Sequence, residues 1–335
     1  MDREFSTEHS SEHHPSIQWY PGHIAKYERQ LSDLLKLVDV VVVVLDCRIP
    51  NATINPRLAQ KIGDKPTLII LNKSDLGDPT QNKRWLKTLT RGNQRAMLYD
   101  AKTGQAKAQL IQQVQALGET AMQKIIAKGR KRRPIRVLVA GMPNVGKSTL
   151  INSIVGRKKT KTGHRAGVTK TTQWIRIHPE VELMDSPGVI PPQLDSPLAG
   201  ALLATVSSIG DAAFDEEEIA RFLLETVDGL YPNLSHKFFK LTPEQPTSLE
   251  SVAETRNYKL GGAHLDLLRT AQAILADFRH ARMGRITLEH APAQVESPEK
   301  ATKEAQTDSN TESRVEPQPA ESEHLEEVPV SAESD

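Results

Sequence analysis

The stretch Gly141-Met142-Pro143-Asn144-Val145-Gly146-Lys147-Ser148-Thr149 follows the phosphate-binding pattern GxxxxGK[ST]. Before it, the apolar run Ile135 to Ala140 predicts a buried strand; after it, Leu150 to Val155 predicts a helix. Strand, glycine loop and helix form the context such a loop needs, because glycines let successive backbone N–H groups turn toward one anion at a helix N-terminus. Asn144, Val145, Gly146, Lys147, Ser148 and Thr149 are therefore candidate nucleotide-binding residues. Lys147 suits the β- and γ-phosphates, and the Ser148 hydroxyl suits magnesium. A glycine turn with an incidental lysine is the alternative, and the flanking strand and helix argue against it.

Working outward, Val38 to Asp46 (VDVVVVVLD) is continuously apolar and β-branched, the mark of a central parallel strand covered on both faces. Thr67 to Leu71 is a second, running into Asn72-Lys73-Ser74-Asp75, the NKxD pattern of guanine-nucleotide proteins. The Asp75 carboxylate can accept from both guanine N1–H and the exocyclic amine, a pair adenine does not offer. The carboxyl ends of strands are where doubly wound sheets bind ligands. Ala96 to Asp100 predicts a third strand, followed by Ala101-Lys102-Thr103-Gly104. This is similar to the SAK loop that completes a guanine pocket through backbone contacts, with Asp100 in the serine's place. Asn72, Lys73, Asp75, Asp100, Ala101 and Lys102 form the candidate base-binding set.

Beyond the phosphate loop, residues 157–172 are basic and polar without apolar period, which predicts a mobile loop. There Thr169 suits a threonine that caps magnesium and senses the γ-phosphate, with Thr171 and Thr172 as competitors. Strands are expected at Gln173 to His178 and Val181 to Asp185. The second ends in Asp185-Ser186-Pro187-Gly188, a DxxG motif in which Asp185 would hold magnesium through water and the Gly188 amide would meet the γ-phosphate. Helices are expected at 24–37, 105–128, 197–209, 215–229, 249–257 and 264–282. The last has an apolar face and a second face with Arg269, Arg279, His280 and Arg282.

An ordinary GTPase runs phosphate loop, threonine loop, DxxG, NKxD, SAK. Here NKxD and the SAK-like loop come first, so the chain reads as circularly permuted. Permutation is tolerated where the original ends lie close together at the surface. The expected architecture is α/β: a circularly permuted P-loop GTPase domain, mostly parallel sheet with helices on both faces, plus a C-terminal all-helical domain. Its parts are a disordered extension at 1–16, the GTPase domain at 17–194, a helical RNA- or ribosome-contacting domain at 195–290, and a disordered acidic tail at 291–335. The old ends are joined through the helix ending near Lys128 and the basic link KGRKRR, Lys128 to Arg133. The new ends fall where the second switch helix would lie, so 24–37 and 195–289 should both attach beside that switch.

The formal net charge of +1 hides an asymmetry. The last 45 residues carry twelve acidic and three basic side chains, leaving about +10 on the rest. A basic body points to a polyanionic partner, although a solvated surface with a solubilising tail has the same pattern. The single cysteine, Cys47, excludes an internal disulfide framework and is expected buried and inert. Three histidines near the N-terminus, His9, His13 and His14, are expected to lie in a solvated tail rather than a metal site. No apolar run reaches the roughly 18 residues of a membrane helix, and Met1 to Ser16 lacks the apolar core of a secretory signal, so a cytoplasmic protein is expected.

With these residues in place, the chain resembles the circularly permuted GTPases of the ribosome biogenesis GTPase A (YlqF/RbgA) family. The matching stretches are QWYPGH at 18–23, VVVVLDCRIP at 41–50, NKSD, GMPNVGKST, DSPG, GGAHLD at 261–266 and DFRHARMGRITLE at 277–289. Together they span about residues 17–290. Departures are Asp100 for serine, Cys47 for alanine and Ala166 for proline. The resemblance implies a GTP-binding and GTP-hydrolysing factor, with magnesium, that acts late in assembly of the large ribosomal subunit and contacts ribosomal RNA. The expected partner is the large-subunit precursor, with no DNA and no membrane, and a monomer off the ribosome. A nucleotide-gated RNA-binding scaffold with incidental hydrolysis is the second reading. A GTPase of tRNA modification or membrane traffic is a third, which missing lipidation signals and the lack of a second catalytic constellation count against.

Many GTPases place a water-orienting glutamine just after DxxG. Here Gly188 is followed by Val189 and Ile190, which have no polar side chain. His23 is the candidate replacement: chain order puts its segment beside the switch, the resembling family carries a histidine in the same WxPGH context, and imidazole suits water orientation near neutral pH. The alternative is that His23 only caps or packs the following helix. Asn144 resembles the asparagine with which related GTPases hold potassium. The expected catalytic set is His23, Lys147, Thr169 and Gly188; the expected metal set is Ser148, Thr169 and Asp185 for magnesium, with Asn144 for potassium.

Overall fold

The computed structural model describes residue 15 and residues 24–156, 174–185, 196–262 and 264–292. Six strands form one sheet: β1 (Val40–Asp46), β2 (Thr67–Asn72), β3 (Gln94–Leu98), β4 (Ile135–Ala140), β5 (Trp174–His178) and β6 (Val181–Asp185). Their order is β3-β2-β1-β4-β6-β5, parallel throughout except for the β5–β6 pair. β1 and β4, adjacent and in register from Val40 opposite Val137, form the centre. They are also the strands that the permutation brings from the two halves of the chain.

The unbroken valine run has a physical reason. Val40, Val42 and Val44 face one core, while Val41, Val43 and Leu45 face the other. With both sides buried, no polar alternation is tolerated. The second core is closed by α1 (Ile24–Leu37), α2 (Pro56–Ile62) and α3 (Pro79–Leu89), through Leu31, Leu35, Leu58, Ile62, Trp85 and Leu89. The first is closed by α4 (Lys107–Ala127) and α5 (Lys147–Val155) and runs on without a break into the C-terminal helices.

Those helices are α6 (Pro197–Thr205), α7 (Glu216–Leu230), α8 (Leu234–Phe239), α9 (Leu249–Thr255) and α10 (Leu267–Arg279). Their starts are coded locally. Ser196, Asp215, Ser248 and Asp266 each accept backbone N–H groups of the first turn. The caps of α2 and α3 are Asn55 and Asp78, each followed by a proline at the first helical position. Among the described residues no helix is long and apolar enough to cross a membrane.

Three differences from the sequence reading matter. β3 ends at Leu98, so Tyr99 and Asp100 begin the following loop. Helices α2, α3 and α8 escape periodicity analysis; α3 buries Gln81 and Asn82 beside Trp85, so polarity masks its inner face. The packed chain also includes Ala291, which is buried and donates its N–H to Gln81 Oε1.

Candidate nucleotide site

Phosphate loop and base motif meet at the carboxyl edge of the central strands. The loop leaves β4 through Gly141, whose φ of +149° suits glycine, and a Cβ there would strike the Val44 carbonyl. Gly146, at φ +100°, opens α5, and a Cβ there would strike Asn72 Nδ2. Both glycines are thus required by close backbone approach as well as by conformation.

An anion-binding loop turns its N–H groups inward, so its carbonyls must point away and need donors of their own. Four consecutive carbonyls find side-chain donors here. Lys147 Nζ donates to Met142 O at 2.9 Å and Ser208 Oγ to Pro143 O at 3.0 Å. Lys73 Nζ donates to Asn144 O at 2.8 Å and Asn72 Nδ2 to Val145 O at 2.7 Å. The base motif therefore also builds the phosphate loop. Asn72 in addition accepts the Ala101 N–H at 3.2 Å, joining all three motifs at one buried amide.

Asp100, in the serine's place, does local work: its Oδ1 accepts the Lys102 N–H at 2.8 Å and its carbonyl accepts Gly104 N–H. Asp75 Oδ2 lies 3.3 Å from Lys102 Nζ. Its Oδ1 is buried without a hydrogen-bond partner among the described residues. A buried carboxylate oxygen left bare costs free energy unless a donor arrives, and a guanine N–H edge is such a donor. The residues therefore fit a guanine nucleotide: bare acceptor at one end, glycine cradle and Lys147 at the other.

Beneath the site lies a charged cluster that sequence reading missed. Asp46, fully buried, accepts from Arg48 Nε and Nη2 at 2.9 and 2.7 Å and pairs with Lys73 Nζ at 2.8 Å. Burial alone would raise its carboxyl pKa, but the two cations outweigh that and hold it well below the usual carboxylate range. Arg48 lies over the Phe278 ring and reaches the Arg279 carbonyl. Asp46-Cys47-Arg48 at the end of a wholly apolar strand was the available signal. Cys47 is buried, and burial pushes its thiol far up, as an inert role requires.

The segment after α10 laces across the back of the base motif. Arg285 donates to Ser74 O and Gly77 O, and Ile286 N–H to Leu76 O. Thr287 Oγ1 accepts Asp78 N–H, Leu288 N–H meets Arg48 O, and the Glu289 carboxylate accepts Ala52 N–H. The segment from Arg285 to Glu289 thus braces the loop that would read the base.

Other candidates stand differently. Ser148 and Thr149 open α5, as expected. Asp185 ends β6 opposite Val139 of β4, which brings its backbone beside the phosphate-loop strand. Asn144, at φ +57°, donates its side-chain amide to Ser207 O at 2.6 Å. His23, Thr169, Thr171, Thr172 and Gly188 lie outside the described residues, as does the loop 157–172. Among the described residues no cluster of three metal-binding side chains occurs. Of the expected basic face of α10, Arg269, His280 and Arg282 are exposed, but Arg279 turns inward and donates to the Ala204 and Thr205 carbonyls that end α6. Arg282 pairs with Asp277, and Arg269 stacks on Tyr258.

Comparisons with known proteins agree with this geometry. A family described as "50S ribosome-binding GTPase" matches residues 136–250, from β4 into α9. Ribosome biogenesis GTPase A of Bacillus cereus is 36% identical over 276 residues, covering 82% of this chain and 93% of that protein. The mouse mitochondrial ribosome-associated GTPase 1 is 31% identical, covering 82% and 91%. Among solved structures, GDP-bound YlqF superposes with a TM-score of 0.54 at 26% identity, covering 78% of this chain and 99% of that one. GNP-bound YlqF from T. maritima gives 0.54 at 25% identity, covering 79% and 98%.

Proposed function

Since the chain belongs to the ribosome biogenesis GTPase A family and is a circularly permuted GTPase, we propose that it hydrolyses GTP while bound to a precursor of the large ribosomal subunit, with GTP state setting its grip on ribosomal RNA. The bare Asp75 Oδ1, beside a loop whose carbonyls from Met142 to Val145 each accept from a side chain, carries the nucleotide part. Asp75 reads guanine, and the amides of 144–149 with Lys147 hold the phosphates. Ser148, Asp185 and Thr169 would hold magnesium, which neutralises charge on the β- and γ-oxygens when bound. Gly188 N–H meets the γ-phosphate. Water attacks the γ-phosphorus as the bond to the bridging oxygen breaks, and His23 orients that water. Asn144 would hold potassium, which spreads positive charge between the phosphates.

The division into a GTPase part at 17–194 and a ribosome-facing helical part at 195–290 belongs to the same proposal, as does a cytoplasmic monomer off the ribosome. The permutation supports it, because it splices the helical stretch directly after DxxG. The relatives' names supply the ribosomal connection.

The test pairs sedimentation with kinetics. With a non-hydrolysable GTP analogue the protein should co-migrate with large-subunit precursors, and with GDP it should leave them. Those particles should accelerate single-turnover hydrolysis in wild type but not in His23→Ala. Hydrolysis by His23→Ala at the wild-type rate, with normal GTP and particle binding, makes His23 structural. Equal rates in sodium and potassium remove the potassium role alone. Co-migration without stimulated turnover favours the scaffold reading.

A further inference from the structure

The connection between α6 and α7 touches the phosphate loop twice. Ser208 Oγ donates to Pro143 O at 3.0 Å, and Ser207 O accepts Asn144 Nδ2 at 2.6 Å. Ser208 is completely buried, with Val206 and Ile209 buried on either side. The hydroxyl is therefore not a surface group that found a convenient acceptor. It lies inside the core at the back of the loop.

The contact is held from two further directions. Ser207 sits at φ +58°, a left-handed conformation uncommon outside glycine, and Ser208 N–H closes back on Leu203 O at 2.8 Å. That turn ends α6 and swings Ser208 toward the loop. The last α6 carbonyls, Ala204 and Thr205, are capped by Arg279 of α10 at 3.0 and 2.9 Å. Arg279 O is in turn reached by Arg48, whose partner Asp46 also holds Lys73, the donor to Asn144 O. A closed circuit of polar contacts thus runs from the phosphate loop through the helical stretch and back to the same residue, Asn144.

From this we infer that Ser208 is a positioning residue for nucleotide binding: the C-terminal helical stretch supplies the donor that lets Pro143 turn its carbonyl away from the phosphates. The other outward carbonyls of the loop rely on Asn72, Lys73 and Lys147, which belong to the nucleotide motifs themselves. Among the described side-chain donors to these carbonyls, Ser208 alone comes from outside those motifs. The inference rests on the nucleotide site proposed above. It adds that α6 and α10 set the affinity of that site, so a partner docked on the helical stretch acts on the phosphate loop without passing through the switch segment.

The experiment measures GDP and non-hydrolysable GTP-analogue affinity of the full chain, wild type and Ser208→Ala. Removing the hydroxyl strands the Pro143 carbonyl, so both affinities should fall by about tenfold and by the same factor, because the loop holds phosphates common to both. Preference for guanine over xanthine nucleotides should stay unchanged, since Asp75 is untouched. Thr270→Ala is the control: it removes another fully buried hydroxyl, bonded to Asp266 O within α10, far from the loop in its contacts. If it lowers affinity equally, the effect is general loosening and the inference fails. Should Ser208→Ala not fold, Arg279→Gln decides, since it releases the α6 end without touching the loop; it should weaken both nucleotides about threefold. Wild-type affinity in the folded Ser208→Ala, or in Arg279→Gln where that variant decides, overturns the inference. A wild type that binds no guanine nucleotide would instead overturn the nucleotide site itself.

Discussion

Asp75 has two oxygens in two situations. One meets Lys102; the other is buried with no donor among the described residues. Exchanging the carboxylate for an amide changes which base edge can satisfy it. Asp75→Asn should lose GTP affinity by about a hundredfold or more and gain xanthosine triphosphate, whose altered edge suits an amide, as competition binding would read. Undiminished GTP binding would place base recognition elsewhere. Asp46 shows the opposite logic, both oxygens being satisfied by Arg48 and Lys73. Removing Arg48 there would leave the buried Asp46 with Lys73 as its one remaining cation, at a cost of up to about 3–5 kcal/mol, so that cluster is a poor place to probe function separately from folding.

At the scale of elements, the segment after α10 is the least expected part of the molecule. Burial pushes the Glu289 carboxyl up to about 7, against the opposing bonds from the Ala52 and Asn51 N–H groups. A carboxyl raised on folding binds protons more tightly in the folded chain, so stability falls as pH rises from the unfolded carboxyl range, about 4.3, to about 7, and stays low above. Glu289→Gln abolishes that dependence. Its stability relative to wild type should grow by about 1–3 kcal/mol between pH 4.5 and 7.5, measured by urea unfolding. Parallel profiles would mean that Glu289 ionises as freely folded as unfolded. None of this bracing was legible beforehand, because Arg285, Thr287 and Glu289 act through contacts with residues some 200 positions away. The central strands were legible, since burial on both faces leaves an uninterrupted apolar run. So were the nucleotide motifs, which join fixed residue types at fixed spacing. Ser208 and Arg279 carried no signal: a serine in a turn and an arginine on an amphipathic helix have many ordinary uses.

For the whole molecule, the charge asymmetry makes a prediction about ionic strength. Within the basic link, Arg132 pairs with Glu119 and Glu180, and Arg133 with Asp39, so the exposed Lys128, Arg130 and Lys131 are its available cations. Affinity for large-subunit ribosomal RNA should fall about 10³-fold or more between 50 and 200 mM salt if six or more phosphates are contacted. Neutralising Lys131 should reduce the log–log slope by about 1, without changing sequence preference. A flat salt dependence, read by filter binding, would exclude a phosphate-driven interface. GTP should tighten RNA binding relative to GDP, because the basic loop 157–170 is also the one expected to close over the γ-phosphate.

The order of strands also governs how the protein is made. β1 pairs with β2 on one side and with β4 on the other, yet β4 is synthesised more than sixty residues after β2. While the chain emerges, β1, β2 and β3 can pair, leaving the most hydrophobic strand with one ladder of open N–H and C=O groups, a template for association with another chain. α4 lies between β3 and β4 in sequence and packs on the core face of β1. It can shield that face before β4 arrives, but it cannot satisfy the open backbone. A nascent polypeptide halted just before Ile135 should therefore be unusually dependent on chaperones, whereas one halted beyond Ala140 has closed its own edge.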